Sequence, residues 1–242
     1  MKTIILGDTH GRTDWATIVA DQEFDKIVFI GDYFDSHEDI SGRIQIDNFC
    51  NIVSYKEDNP GKVVLLTGNH DYHYLKGVTE TYSSYQPVFH SEIQAHLEDA
   101  ISKGLMQMCY VKDNMLCSHA GVTKTWYNEM RKKLGIAHPE DTSICHYIND
   151  AFKFKIRLFS FDANAGIISR YRDPYGDEIT QSPIWVRPKS LRQDKLDDYI
   201  QVVGHTTQDK IRLGEDIILI DTLGTSGEYL IYENKEFSIG KI

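Results

Sequence analysis

Four cysteines among 242 residues, none spaced C-x-x-C, make neither a disulfide framework nor a redox motif. Cys50, Cys109, Cys117 and Cys145 read instead as reduced, mostly buried thiols of a cytoplasmic protein. No stretch approaches the length of a membrane span. Met1-Lys2 runs straight into the strand-like Thr3-Ile4-Ile5-Leu6, with no charged leader, apolar core or cleavage site. A soluble protein with no membrane partner is therefore expected. Internal repeats and low-complexity segments are also missing, which excludes solenoids and disordered arrays. Positive charge is scarce as well: Lys+Arg number 26 against 36 Asp+Glu, a formal net charge of −10. Such a surface repels phosphate polyanions, so extensive nucleic-acid binding is not expected. A small phosphorylated substrate held by metal ions remains compatible, and carboxylates that bind divalent cations would cancel part of the excess.

What is present is a series of short apolar runs, each ending in glycine and polar residues. The length suits one α/β domain with an insertion. Residues 2–6 read as a strand ending at Gly7-Asp8-Thr9-His10-Gly11, followed by a helix from Thr13 to Ala20. Lys26-Ile27-Val28-Phe29-Ile30 reads as a strand buried on both faces, ending at Gly31-Asp32-Tyr33-Phe34-Asp35. Helical periodicity from Ile44 to Glu57 stops at Asn59-Pro60-Gly61. The third strand, residues 63–66, ends at Gly68-Asn69-His70-Asp71. This alternation predicts a mostly parallel sheet with right-handed crossovers.

The pattern then loosens. An aromatic loop from Tyr72 leads to a helix near 89–103, and a hairpin over 108–111 and 115–117 ends at Ser118-His119-Ala120-Gly121. Residues 124–188 are irregular, with helices near 125–134 and 144–159, and read as a mostly helical cap inserted in a single domain spanning 1–242. A strand at 200–203 precedes Gly204-His205-Thr206. Short strands at 211–213, 216–220, 228–232 and 236–239 look like antiparallel hairpins that build a second sheet. Two stacked mixed sheets flanked by helices, an α-β-β-α sandwich, would bring the polar clusters to one edge.

Alone, each cluster is an ordinary turn. Together, Asp-x-His, Gly-Asp-x-x-Asp, Gly-Asn-His-Asp, Ser-His-Ala-Gly and Gly-His-Thr, in that order from residue 7 to residue 206, resemble the calcineurin-like metallophosphoesterase superfamily. The similarity is closest to the branch of Ser/Thr protein phosphatases, bacterial and phage phosphatases and symmetrical diadenosine-tetraphosphatases. It implies that Asp8 and His10 hold one metal, that Asp32 bridges to a second, and that Asn69, His119 and His205 complete the second site. Carboxylate, imidazole and amide donors suit Mn²⁺, with Fe or Zn²⁺ as alternatives, better than Ca²⁺. It further implies phosphomonoester hydrolysis, on a phosphoprotein or a nucleotide, by a hydroxide held between the ions. His70 would protonate the leaving group and Asp35 would orient it, unless Asp35 only caps its turn.

The sequence departs from the branch at Ser36, where the phosphoprotein phosphatases carry an arginine that clamps the phosphate. Hydrolysis of a dinucleoside polyphosphate, or of a small or cyclic nucleotide diester, is the alternative this leaves open. Arg187 is the candidate replacement clamp, with Arg170 and Arg172 behind it. Tyr72, with His73 and Tyr74, either lines the pocket or packs beneath the cap. Asp71 reads as a supporting acid rather than a ligand, and His37, His90, His96, His138 and His146 as surface or local-structure histidines.

Overall fold

Nearly every residue of the first three strands is apolar, and such strands are stable only when both faces of their sheet are covered. The computed structural model, which describes residues 1–136, 143–161 and 173–242, covers both. The strands are β1 (Thr3–Leu6), β2 (Lys26–Phe29), β3 (Val63–Leu66), β4 (Met106–Gln107), β5 (Cys109–Lys112), β6 (Met115–Ser118), β7 (Ile200–Val203), β8 (Ile217–Leu219), β9 (Glu228–Glu233) and β10 (Glu236–Lys241). The helices are α1 (Trp15–Asp21), α2 (Gly42–Asp58), α3 (Asn69–Tyr72), α4 (His90–Ser102), α5 (Lys124–Lys133), α6 (Ile144–Phe154) and α7 (Pro188–Gln193). A 3₁₀ turn at Ile156–Phe159 follows α6.

Six strands form one sheet in the order β10-β9-β1-β2-β3-β4, and four form a second in the order β5-β6-β7-β8. β1, β2, β3 and β4 run parallel, as do β6, β7 and β8. Strand side chains alternate between faces, which sorts the apolar residues into layers. Ile5, Val28 and Leu66 meet Met115, Cys117, Val202 and Ile218 between the sheets. Ile4, Leu6, Phe29 and Leu65 face the other way, in one cluster with Trp15 of α1, Phe49 and Ile52 of α2 and Leu97 of α4. Outside the second sheet, Val203 and Ile217 pack with Leu191 of α7. The fold is thus the four-layer arrangement expected. Each fully buried side chain of this size contributes about 1.5–3 kcal/mol relative to leaving it exposed.

The C-terminal strands are arranged differently from the sequence reading. β8 joins the second sheet parallel to β7, while β9 and β10 form a hairpin that extends the first sheet, with β9 antiparallel to β1. Residues 211–213 form no strand. The parallel crossovers leave one edge of β1 unpaired, and β9 closes it while Leu230 and Tyr232 add to the layer between the sheets. The helix expected over 144–159 ends at Phe154 and tightens into the 3₁₀ turn. All four cysteines are free, three of them buried.

Candidate active site

Each polar cluster leaves the C-terminal end of a parallel strand, where open α/β sheets gather their functional groups. Asp8 follows β1, Asp32 follows β2, Asn69 and His70 follow β3, His119 follows β6 and His205 follows β7. Turning sharply off a strand requires unusual backbone. His10, Asp32, Asp35 and His205 all adopt left-handed conformations, with φ of 44°, 52°, 61° and 62°. Asp and His tolerate that region better than bulkier residues. Glycine is needed where the loops touch: a Cβ on Gly68 would overlap the Asp32 carboxylate, and one on Gly204 would overlap that of Asp8.

The donor atoms converge. Oxygens of Asp8 and Asp32 and a ring nitrogen of His119 lie within 4.8 Å of one another. His119 Nε2 is 3.4 Å from Asp32 Oδ2 and 2.9 Å from Asn69 Oδ1, which is also 2.9 Å from His205 Nδ1. His10 Nε2 stands 3.8 Å from Asp32 Oδ2. The six residues that the sequence analysis singled out as metal ligands therefore surround one region. Backbone bonds hold the frame: His205 N–H donates to Asp8 Oδ2 at 2.9 Å, and His70 N–H to Asp32 Oδ1 at 2.8 Å. Asp71 accepts N–H bonds from Asp32, Tyr33 and Gly68 at 2.8–2.9 Å, lacing the second and third loops together.

This donor set fits divalent cations. His10 Nδ1 lies 2.6 Å from the Phe34 carbonyl and His119 Nδ1 lies 3.2 Å from that of Ile30. Each ring therefore donates from Nδ1 and turns the lone pair of Nε2 toward Asp32 Oδ2, acceptor facing acceptor. A cation between them removes the repulsion. Burial, then the neighbouring charge of His70, pushes the pKa of His10 down to about 3, and burial likewise lowers His119 and His205. These rings stay neutral, the form that binds metal. Burial raises Asp8 and Asp32 well above the usual carboxylate range, and repulsion from Asp221 and from Asp8 respectively adds to it. A bound cation inverts that balance.

Beside this region, His70 Nδ1 lies 2.9 Å from Asp35 Oδ2, and the His70 ring is 5.5 Å from that of His10. Asp35 is fully enclosed. Burial alone would raise its pKa, yet hydrogen bonds from His70, His73 and Tyr74 hold it at about 2. Arg187 donates from Nη1 to the His205 carbonyl and to Thr206 Oγ1, both at 3.2 Å, and from Nε to Tyr175 O at 2.9 Å. It is half-buried and feels the charges of Asp32 and Asp8.

Tyr72, expected as a substrate contact, is instead 1% exposed, its hydroxyl donating to the Ile156 carbonyl at 3.0 Å. Directly following Asn69-His70-Asp71 on the one-turn helix α3, it is carried into the core and offers no face to a ligand. Tyr74 is also buried, its hydroxyl on Asp35 Oδ1 at 2.6 Å. His37, set aside from the sequence, is exposed at the mouth, its ring 6.1 Å from His10 and 6.2 Å from His70. His90, His96 and His146 make local contacts with Tyr85, Cys50 and Asp150. Arg170, Arg172 and His138 lie outside the described residues.

Gln86 and Asp221 escaped the sequence reading, and His73, read there as lining the pocket or packing beneath the cap, lies instead against Asp35. Asp221 accepts from Thr207 at 2.7 Å, bracing the loop that carries His205. It stands after the apolar Ile217-Ile218-Leu219-Ile220, the same strand-then-acid signal that marked Asp8 and Asp32.

The sequence profile of a family described as calcineurin-like phosphoesterase matches residues 1–216. A protein of Encephalitozoon cuniculi named as a probable serine/threonine-protein phosphatase is 29% identical over 130 residues, 50% of this chain and 26% of that protein. The match thus spans about a quarter of the relative's length. Among solved structures, a cold-active protein-tyrosine phosphatase of a psychrophilic Shewanella superposes with a TM-score of 0.61 at 19% identity, covering 99% of this chain and 77% of that one. A protein serine/threonine phosphatase from Saccharomyces cerevisiae superposes with a TM-score of 0.54 at 13% identity, covering 99% and 79%.

Proposed function

The chain belongs to the calcineurin-like phosphoesterase family, and from that premise we propose that it is a metal-dependent phosphatase acting on phosphomonoesters, with a phosphorylated protein side chain as the leading substrate class. The observation that carries this reading is the meeting of Asp8, His10, Asp32, Asn69, His119 and His205 beside the His70–Asp35 pair. Those six residues would hold two divalent cations, and their mixed carboxylate, imidazole and amide donors suit Mn²⁺, Fe or Zn²⁺ better than Ca²⁺. Bound there, the cations supply an acidified water and neutralise charge on the phosphoryl oxygens.

The chain's own groups do the rest. Asp32 Oδ1 accepts from His70 N–H, so the residue that would bridge the ions also fixes the backbone of the proton donor. His70 directs Nδ1 at Asp35 and leaves Nε2 to give a proton to the departing oxygen. Arg187 brings a guanidinium toward the Asp8–Asp32 cluster, where a phosphate would lie against it. The described part of the segment 124–188 would serve as the cap, with Trp185 meeting the His205 ring at 5.5 Å.

Burial of Tyr72 and Tyr74 withdraws those two rings as a surface on which a base would stack, which counts for a protein phosphate over a nucleotide. Ser36, which offers no cation from the position where the phosphoprotein phosphatases carry their arginine, favours the second reading, hydrolysis of a dinucleoside polyphosphate or diester. Turnover of metal-stripped, Mn²⁺-reloaded protein on p-nitrophenyl phosphate, bis-p-nitrophenyl phosphate and diadenosine tetraphosphate separates the two. Preference for the monoester is expected, and preference for either other substrate would replace this reading with the second. Asp32→Ala is expected to lose both metal and turnover. His70→Ala should keep its metal and lose turnover by about 100-fold on alkyl phosphates, with a much smaller loss on p-nitrophenyl phosphate.

A further inference from the structure

Asp35 Oδ2 has a second imidazole on it. His73 Nε2 lies 2.7 Å away, closer than His70 Nδ1 at 2.9 Å, and the His73 side chain is fully buried. Its tautomer follows from its other nitrogen. Tyr82 N–H points at His73 Nδ1 at 3.2 Å, and because a backbone N–H only donates, Nδ1 must accept. The ring proton is therefore on Nε2, which lies against Asp35 Oδ2 in a close contact at 2.7 Å. Asp35 Oδ1 meanwhile takes the Tyr74 hydroxyl at 2.6 Å and Gln86 Nε2 at 3.3 Å. A carboxylate has about four acceptor sites, and hydrogen bonds from His70, Tyr74 and Gln86 together with the His73 contact surround them. The His73 ring is clamped in turn, stacked on Tyr82 at 4.9 Å with 4° between planes and meeting Tyr74 edge-on at 4.3 Å.

We propose that His73 is a positioning residue for leaving-group protonation: its Nε2–H pins the carboxylate oxygen that holds His70, and so fixes the ring plane of His70 and which of its nitrogens faces the substrate. The proposal rests on the reading of His70 as the proton donor. Asp35 needs such bracing because it sits in a left-handed turn at the start of an irregular loop, where its own backbone does not fix the carboxylate plane. Without His73, Oδ2 keeps its bond to His70 but loses the bond that orients it, and His70 swings with it.

The test compares an alkyl phosphate, whose leaving oxygen needs the proton, with p-nitrophenyl phosphate, whose leaving group does not. His73→Phe keeps the ring stacked on Tyr82 and removes the donor. It is expected to lower kcat on the alkyl phosphate by about 10-fold or more while changing p-nitrophenyl phosphate by less than about threefold, with metal content unchanged. His73→Gln, which can still donate, should recover most of the loss. Added to His70→Ala, His73→Phe should change nothing further, since the two act through one proton. Equal losses on both substrates, or a full additional loss in the His70→Ala background, would overturn the proposal. Imidazole ¹⁵N spectra of the unsubstituted, Zn²⁺-loaded protein test it without any variant: His73 is expected protonated on Nε2, and an Nδ1–H tautomer would overturn it. If His70→Ala alone shows no dependence on the leaving group, the proton-donor reading falls and this proposal with it, recognisable because His73 is then intact.

Discussion

Asp35, enclosed by four donors, has no room for a proton, and acid must break those bonds to supply one. Its carboxyl is held at about 2 in the folded protein against an ordinary value of 3.8. A depressed acid contributes stability that is complete above the unfolded value and is lost as pH falls toward the folded one. The contribution is about 2 kcal/mol at neutral pH and disappears between about pH 4 and pH 2. Urea unfolding at pH 6, 4 and 3 should show this acid limb in the parent and a flatter one in Asp35→Asn; identical slopes would mean that Asp35 is not held ionised. At this scale the sequence was readable where residue type and strand-end position coincide, as at Asp8, Asp32 and His119. The contacts of His73 and Gln86 with Asp35 were not, because nothing in local spacing says that a polar side chain in an aromatic loop will be buried against a carboxylate 38 or 51 residues away.

Among the elements, α5 shows how the insertion is tied down. Thr123 caps it, its Oγ1 accepting from Trp126 N–H at 3.1 Å and donating to the Ile179 carbonyl at 2.6 Å. Thr123→Ala removes both bonds and should lower stability by about 1–2 kcal/mol, read as a lower urea midpoint with unchanged slope. A change within error would show that α5 is held by Trp126 and Met130 packing alone. Strands β1, β2, β3 and β7 were legible to within a residue because buried parallel strands are continuous apolar runs bounded by glycine. The C-terminal hairpin was legible as a hairpin but not in its placement. Local alternation fixes how β9 and β10 pair with each other; which sheet they join depends on the free edge of β1, more than 220 residues earlier. β4, two residues long, left no pattern to read.

The whole molecule carries a formal charge of −10 and gathers several of its carboxylates, Asp8, Asp32, Asp71 and Asp221, within one buried region. Cations bound there stabilise only the folded state, by about 2.7 kcal/mol when present at about 100 times Kd. Chelation should therefore lower Tm by roughly 5–10 °C, restored by Mn²⁺, in a thermal melt with and without EDTA. Unchanged melting would mean that no cation occupies the cluster. The closure of β1 by β9 also has a bearing on synthesis. Ile4-Ile5-Leu6 leaves the ribosome long before Leu230-Ile231-Tyr232, its antiparallel partner. At bacterial or eukaryotic elongation rates the gap is roughly 10–45 s, during which an apolar strand presents a bare edge to its surroundings. The nascent chain is thus most vulnerable to edge-to-edge aggregation through its first strand, and factors that shield early segments should raise its soluble yield more than factors acting after release.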